Sequence, residues 1–240
     1  EEVDSYEIGY KGNLGIFNIA AAAFYADYTD VQIPGSVACE VGGLPSFCGV
    51  VSNAGKATFK GLELEASARF GGGFGLAGSL GYIDAQYDEY ITNIGNTPTD
   101  VAAFRVVQNT PEVTGSITAS YDTPVGPGDL YLGTTLSYRS KTSQFEIPNP
   151  YLDQGGYALL DASAVYTAPG GRWKIGIYGK NLLDKEYKTS GYTFVATDPV
   201  TGDIVNGANG FPVPTLGPEG TLTAFYGNPR QVFATLTFSY

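Results

Sequence analysis

The chain contains no histidine. That removes Ser-His nucleophile pairs, His-ligated haem and His-type zinc sites from anything this segment supplies. Charge is also scarce. Asp, Glu, Lys and Arg make up 15% of 240 residues, where a soluble domain carries about 25%. Basic residues are the rarer sign, 13 against 24 acids, for a formal net charge of −11. That balance argues against a nucleic-acid partner and suits a wall whose wet side and loops carry acids. No apolar run is long enough for a membrane-crossing helix. The longest, residues 16–26, is interrupted by Asn18 and falls short of the roughly 20 residues a helix needs. A secretory signal is missing too: Glu1-Glu2-Val3-Asp4 leads straight into a strand pattern. The chain is therefore expected to begin inside something larger or to have been processed.

What remains is rich in glycine (33) and tyrosine (18), with a mean hydropathy of −0.05. A helical membrane protein is far more apolar. The most informative segment is the last. Val232, Ala234, Leu236, Phe238 and Tyr240 alternate with Phe233, Thr235, Thr237 and Ser239 up to the final residue. Period-2 alternation means a strand with one apolar and one polar face, and an aromatic end fixes it in an apolar surface. This is the pattern of a strand closing an outer-membrane β-barrel.

The spacing predicts about nine strands, roughly 4–11, 14–31, 54–70, 74–91, 112–123, 129–144, 156–168, 172–188 and 226–240. Tight turns are expected at 11–13, 71–73, 124–128 and 169–171, and long connections at 32–53, 92–111, 145–155 and 189–225. Short and long connections alternate, as in an antiparallel up-and-down barrel with tight turns at one end and loops at the other. Parity agrees. Leu62, Leu64, Ala66, Ala68 and Phe70 form one face of their strand, and Glu63, Glu65, Ser67 and Arg69 the other. Only strand 14–31 lacks a clean register, because Ala20 to Ala23 fill both faces. Aromatics flank the tight turns on the apolar parity: Tyr10, Phe70, Phe74, Tyr121, Tyr166, Trp173 and Tyr240. A ring of outward aromatics at one strand end is the interfacial girdle of a membrane barrel. The fold expected is thus all-β, a transmembrane barrel wall in contact with outer-membrane lipid.

Candidate sites are few. Glu63 and Glu65 have the spacing of a carboxylate pair, but a wet barrel wall explains them more simply. Asp198, Asp203, Asn206 and Asn209 could supply oxygen ligands to calcium, though they match no defined loop and no metal site is assigned. Cys39 and Cys48, the only cysteines, lie in the first connection. On an oxidising cell surface they are expected to form a disulfide, worth about 2.5–3 kcal/mol by loop closure. Phe145, Tyr151, Tyr192, Phe194, Phe211 and Phe225 lie in or beside the long connections. They are candidates to stack on a ligand, with loop packing as the alternative. Arg105 is the candidate for an anionic ligand.

Several segments resemble one family. Gly179-Lys180-Asn181-Leu182-Leu183-Asp184-Lys185-Glu186-Tyr187 resembles the G-x-N-L-[LF]-[DN]-K-x-Y stretch near the end of TonB-dependent outer-membrane receptors. Gly227-Asn228-Pro229-Arg230 and the alternating strand after it resemble their closing segment. Gly61-Leu62-Glu63-Leu64-Glu65 and Tyr6-Glu7-Ile8-Gly9-Tyr10-Lys11 resemble two of their wall strands. One departure is Tyr240 where Phe is commoner. The resemblance implies that residues 1–240 are the last part of a 22-stranded barrel, without its plug domain and N-terminal strands. It implies a Gram-negative outer-membrane receptor for a small nutrient such as a siderophore or oligosaccharide, coupled to the TonB complex through the missing part. It also implies that Leu236, Phe238 and Tyr240 are read by the outer-membrane assembly machinery. No cofactor and no enzyme activity are implied. A passive porin or small complete barrel is the alternative.

Overall fold

The computed structural model describes residues 1–95, 97–215 and 222–239, without the side chains of 34–39, 45–47, 50 and 54. Tyr240 and the Cys39 side chain, both singled out by the sequence, lie outside the described residues. Among the described residues twelve strands follow one another: β1 (Glu2–Leu14), β2 (Phe17–Val41), β3 (Leu44–Arg69), β4 (Phe74–Ile94), β5 (Thr97–Asp100), β6 (Val113–Val125), β7 (Gly128–Arg139), β8 (Tyr157–Thr167), β9 (Trp173–Lys180), β10 (Lys188–Thr193), β11 (Leu222–Tyr226) and β12 (Gln231–Phe238). Nine of them form a single wall in the order β1-β2-β3-β4-β6-β7-β8-β9-β12, every pair antiparallel. β5 folds back on β4, and β10 pairs with β11 in a separate ribbon. Among the described residues β1 and β12 do not pair with each other, so the wall is open.

Register carries the apolar parity from strand to strand without a break. Tyr10 faces Ala21, Ala21 faces Leu64 and Leu64 faces Leu80. Leu80 faces Gly115, Gly115 faces Tyr138 and Tyr138 faces Ala158. On β12, Leu236 faces Ile175 and Phe238 faces Trp173. The register missing from residues 14–31 is supplied by the neighbours: Phe17, Ile19, Ala21, Ala23 and Tyr25 join the apolar side. In this chain Ile8 is 77% and Leu236 59% exposed, an apolar face that only lipid would cover. The opposite face is hydroxyl-rich, with Ser79 Oγ 2.8 Å from Ser116 Oγ and Thr118 Oγ1 2.9 Å from Thr135 Oγ1. A hollow of about 600 Å³ is lined mainly from this polar side by Lys11, Asn13, Glu65, Ser67, Ser79 and Thr118.

The apolar band has a defined height. Phe17 to Tyr25, Phe74 to Tyr82, Val113 to Tyr121 and Leu130 to Tyr138 each lie on this face. Each run covers about eight residue steps, or about 27 Å along a strand. With a tilt of about 40° that is about 20 Å across, close to the ~25 Å band of membrane barrels. At the turn end, Phe74 is opposite Tyr121, the Phe70 and Phe74 rings lie 5.6 Å apart, and Tyr166 lies 5.5 Å from Trp173. At the other end of the band sit Tyr6, Tyr25, Tyr82 and Tyr138, a second aromatic row that sequence parity did not single out.

Several boundaries differ from expectation. The first tight turn is not at 11–13. β1 runs through those residues to Leu14, which pairs with Phe17 around Gly15 and Ile16. Gly15 takes a left-handed φ of +64° that Lys11 to Asn13 do not need. Gly12 stays in the strand because the Tyr10 ring folds over the space where a side chain would stand. Tyr10 therefore lies inside the band, opposite Ala21, and Leu14 and Phe17 take its expected place at the turn end. The connection 32–53 is no loop: β2 and β3 continue past the wall as a ribbon closed by Gly42 and Gly43, at φ +63° and +79°. Both positive φ values match the two-residue hairpin turn that suits strand twist. The strand expected over 172–188 stops at Lys180, and that expected over 226–240 starts at Gln231. With strands alternating in direction, all four tight turns fall at one end, and the ribbon and loops at the other.

Candidate ligand site at the loop end

The loops are packed together. Ile33, Tyr90 and fully buried Val101 form a small core, with Val31, Tyr87, Ile94, Ala102 and Val200 packed against it. It joins the β2–β3 ribbon, the end of β4 and the longest loop. Asp100 fixes the β5 corner by accepting from Ala102 N at 3.0 Å and Tyr90 N at 3.1 Å. Those two N–H groups hold its carboxyl below the usual carboxylate range. Arg105 lies over the Tyr90 ring, 5.7 Å from its centroid. It donates to the carbonyls of Val200 (3.0 Å), Phe104 (3.2 Å) and Pro199 (3.3 Å). Burial draws its guanidinium below its usual range, against the opposing pull of Tyr90 and Glu146. The arginine expected to meet an anion thus ties two loops together through backbone carbonyls.

The longest loop is a small ladder of its own, bridged at Val195–Pro214, Thr197–Ile204 and Asn206–Pro212. Its polar residues make turns. Asp198 accepts from Thr201 N at 2.8 Å and Val200 N at 2.9 Å, which lowers its pKa. Asn209 accepts from Phe211 N, and Asp203 from the Thr201 hydroxyl. Three of the four residues considered for calcium, Asp198, Asp203 and Asn209, thus each have a side-chain oxygen engaged in a turn contact.

Of the candidate aromatics, Tyr192 and Phe194 come together. Their rings stack 6.5 Å apart, with Phe225 edge-on to Tyr192 at 5.7 Å. All three are exposed on one side of the β10–β11 ribbon, while Gly191 on its other side packs on Leu152. Tyr151, beside Leu152, is tied to the ribbon by Lys188, which donates to its carbonyl at 2.7 Å. Phe145 and Phe211 make no ring contact among the described residues, and Phe211 is 70% exposed. The Cys39–Cys48 bond remains a proposal. Val37 pairs with Cys48 and Cys39 with Ser46 across the ribbon, so the two cysteine positions are two residues apart in register.

Two features escaped sequence reasoning. The first is what the Gly179–Tyr187 motif does. Asn181, 5% exposed, accepts from Lys185 N at 2.8 Å and donates to Lys185 O at 2.9 Å and Asn228 O at 3.0 Å. Asp184 accepts from Arg230 N at 2.9 Å and pairs with its guanidinium at 3.4 Å. Gly227 lies against the Tyr187 ring, where no Cβ fits. The two motif segments therefore grip each other and aim β12 onto β9. The second is Arg139, on the polar face at the end of β7. Its nearest sequence signal is its parity with Ser137, which places it on the inner side.

Comparison with known proteins decides the family. The family model described as "TonB dependent receptor-like, beta-barrel" matches residues 1–182. The chain belongs to this family. Among curated proteins, this receptor barrel is 28% identical over 194 residues to the ferrichrome outer membrane transporter/phage receptor of Escherichia coli K12. That match covers 78% of this chain and 20% of the relative. The pesticin receptor of Yersinia pestis is also 28% identical over 194 residues, covering 80% of this chain and 26% of its own. The receptor barrel therefore spans 20–26% of the length of these relatives. Among solved structures, the ferric yersiniabactin uptake receptor of Yersinia pestis superposes with a TM-score of 0.67 at 22% identity. It covers 98% of this chain, which spans 29% of it. The wall is that of a Gram-negative outer-membrane receptor.

Proposed function

We propose that residues 1–240 are the C-terminal barrel segment of an active-uptake receptor for a ferric siderophore or similar chelate. The observation that carries this reading is the open wall. A lipid-facing sheet with unpaired edges at β1 and β12 has no hydrogen-bond partners in hydrocarbon, so further strands must complete it. A plug and N-terminal strands in the rest of the receptor fit this need. Substrate would be met by the packed loops and the Tyr192–Phe194–Phe225 platform. Release inward would follow from TonB pulling on the plug. The segment itself works as a binding and conducting wall, not as a catalyst. The names of the relatives, a ferrichrome transporter and a ferric yersiniabactin receptor, support iron chelates as the substrate class. Leu236, Phe238 and Tyr240 would serve assembly, and deleting 238–240 should remove the heat-resistant folded form from the outer membrane.

The deciding experiment is radiolabelled iron-chelate uptake by cells carrying the full-length receptor, with and without TonB. Uptake that needs TonB is expected. Equal uptake in its absence would establish a passive porin instead.

A further inference from the structure

One row of opposed residues crosses the polar face as Glu63, Gly81, Thr114, Arg139 and Tyr157. Its two charges have opposite sign and stand three strands apart. At about 4.8 Å per strand their Cα atoms are about 14 Å apart, too far for the two to pair directly. Neither Glu63 nor Arg139 makes an ion pair among the described residues. Between them the floor is small, Gly81 and Thr114, and over it lies a hollow of about 270 Å³. Phe24 and Glu63 line one side of it, and Asn109 and Thr110 come in from the loop above. Arg139 stands next to this hollow. Its strand partner Thr114 and its hydrogen-bond acceptor Asn109 O (2.9 Å) both line it. The rest of its fork is not satisfied: Nε is buried with no partner among the described residues. A buried N–H of a permanently charged group is costly to leave unmade. A guanidinium edge is shaped for two oxygens of an oxyanion.

We propose that Arg139 and Glu63 are the two poles of a ligand subsite on the inner face of the wall. Arg139 takes a carboxylate-type oxyanion of the chelate, and Glu63 accepts a hydrogen bond from a donor on the same ligand. The proposal rests on the uptake reading above. It shifts anion recognition from Arg105, whose donors meet carbonyls, to an arginine with a buried N–H that no described group accepts.

The test uses the purified full-length receptor in detergent, titrated calorimetrically with ferric citrate, which bears carboxylates, and ferrichrome, which bears none. Arg139→Gln should weaken ferric citrate at least tenfold, about 1.4 kcal/mol, and leave ferrichrome within twofold. Arg139→Lys, which keeps the charge without the fork, should fall between and serves if the glutamine variant does not fold. Glu63→Gln should weaken ferric citrate about threefold; tighter binding by that variant would remove Glu63 from the subsite. If a carboxylate elsewhere in the receptor already holds Arg139, Arg139→Gln will lower the unfolding midpoint and leave ferric citrate unchanged, which overturns the proposal. So does a wild-type receptor that binds ferrichrome alone. A receptor that binds neither chelate also overturns the proposal, and leaves the uptake reading to its own TonB-dependence test.

Discussion

Replacing Asn181 by alanine tests whether the Gly179–Tyr187 motif is a staple for the last strand. The side chain makes three hydrogen bonds, to Lys185 N, Lys185 O and Asn228 O, and is buried. A net ~1 kcal/mol each gives about 3 kcal/mol, because the partners left behind stay out of water. Asn181 also has φ +48°, a left-handed conformation that costs alanine about 1 kcal/mol more. The expected loss is about 4 kcal/mol. Asn181→Gly suits the positive φ and removes only the hydrogen bonds, so it should lose about 3 kcal/mol. The assay is urea unfolding of the full-length receptor in lipid vesicles, followed by the heat-resistant band on gels. An alanine variant within about 1 kcal/mol of the parent would refute the staple. So would a glycine variant less stable than the alanine one, because the left-handed backbone would then carry no weight.

Arginine at Ile117, mid-band on the apolar face of β6, should cost about 2–4 kcal/mol, whereas arginine at the adjacent Ser116 should cost under about 1 kcal/mol; the reverse order in unfolding measurements would invert the faces. The Asp198 and Asp100 turns should respond to acid. Both carboxyls are held low by backbone N–H groups, so their stabilisation is full above the unfolded pKa near ~3.9 and is lost as pH falls through the lower folded value. Amide exchange at Thr201, Val200 and Ala102, corrected for intrinsic rates, should be flat from about pH 7 to 5 and rise below about 4. Non-reducing peptide mapping should recover Cys39 and Cys48 in one linked fragment, and two free thiols would disprove the bond.

Much of the wall was legible as sequence because each strand carries its own two-face code. Alternation in 112–123 or 232–240 needs no partner to be read. The nine wall strands and the shared end of the tight turns follow from it. Where the code was silent, at Ala20 to Ala23, small side chains fit either face, and only pairing with β1 and β3 chose one. The 32–53 segment reads as a loop because its glycines, prolines and serines lower strand propensity. Ribbon pairing across Gly42 and Gly43 overrode that weak preference. The outer row of Tyr6, Tyr25, Tyr82 and Tyr138 was missed because it flanks no turn, so its alignment appears only when strands stand side by side.

The candidate site was less legible, for a reason of distance along the chain. Arg105 was singled out by residue type alone, and its partners lie about 95 residues away at Pro199 and Val200. Arg139 looked like one more wall residue, and only the register with Thr114 and the approach of Asn109 give it a role. The sequence by itself determined most strand faces, the glycines of three of the four tight turns and the membrane setting, because those rest on neighbours within a few residues. The tertiary structure alone decided which charges are satisfied and which are open, because a hydrogen-bond partner in a barrel wall comes from a different strand or loop.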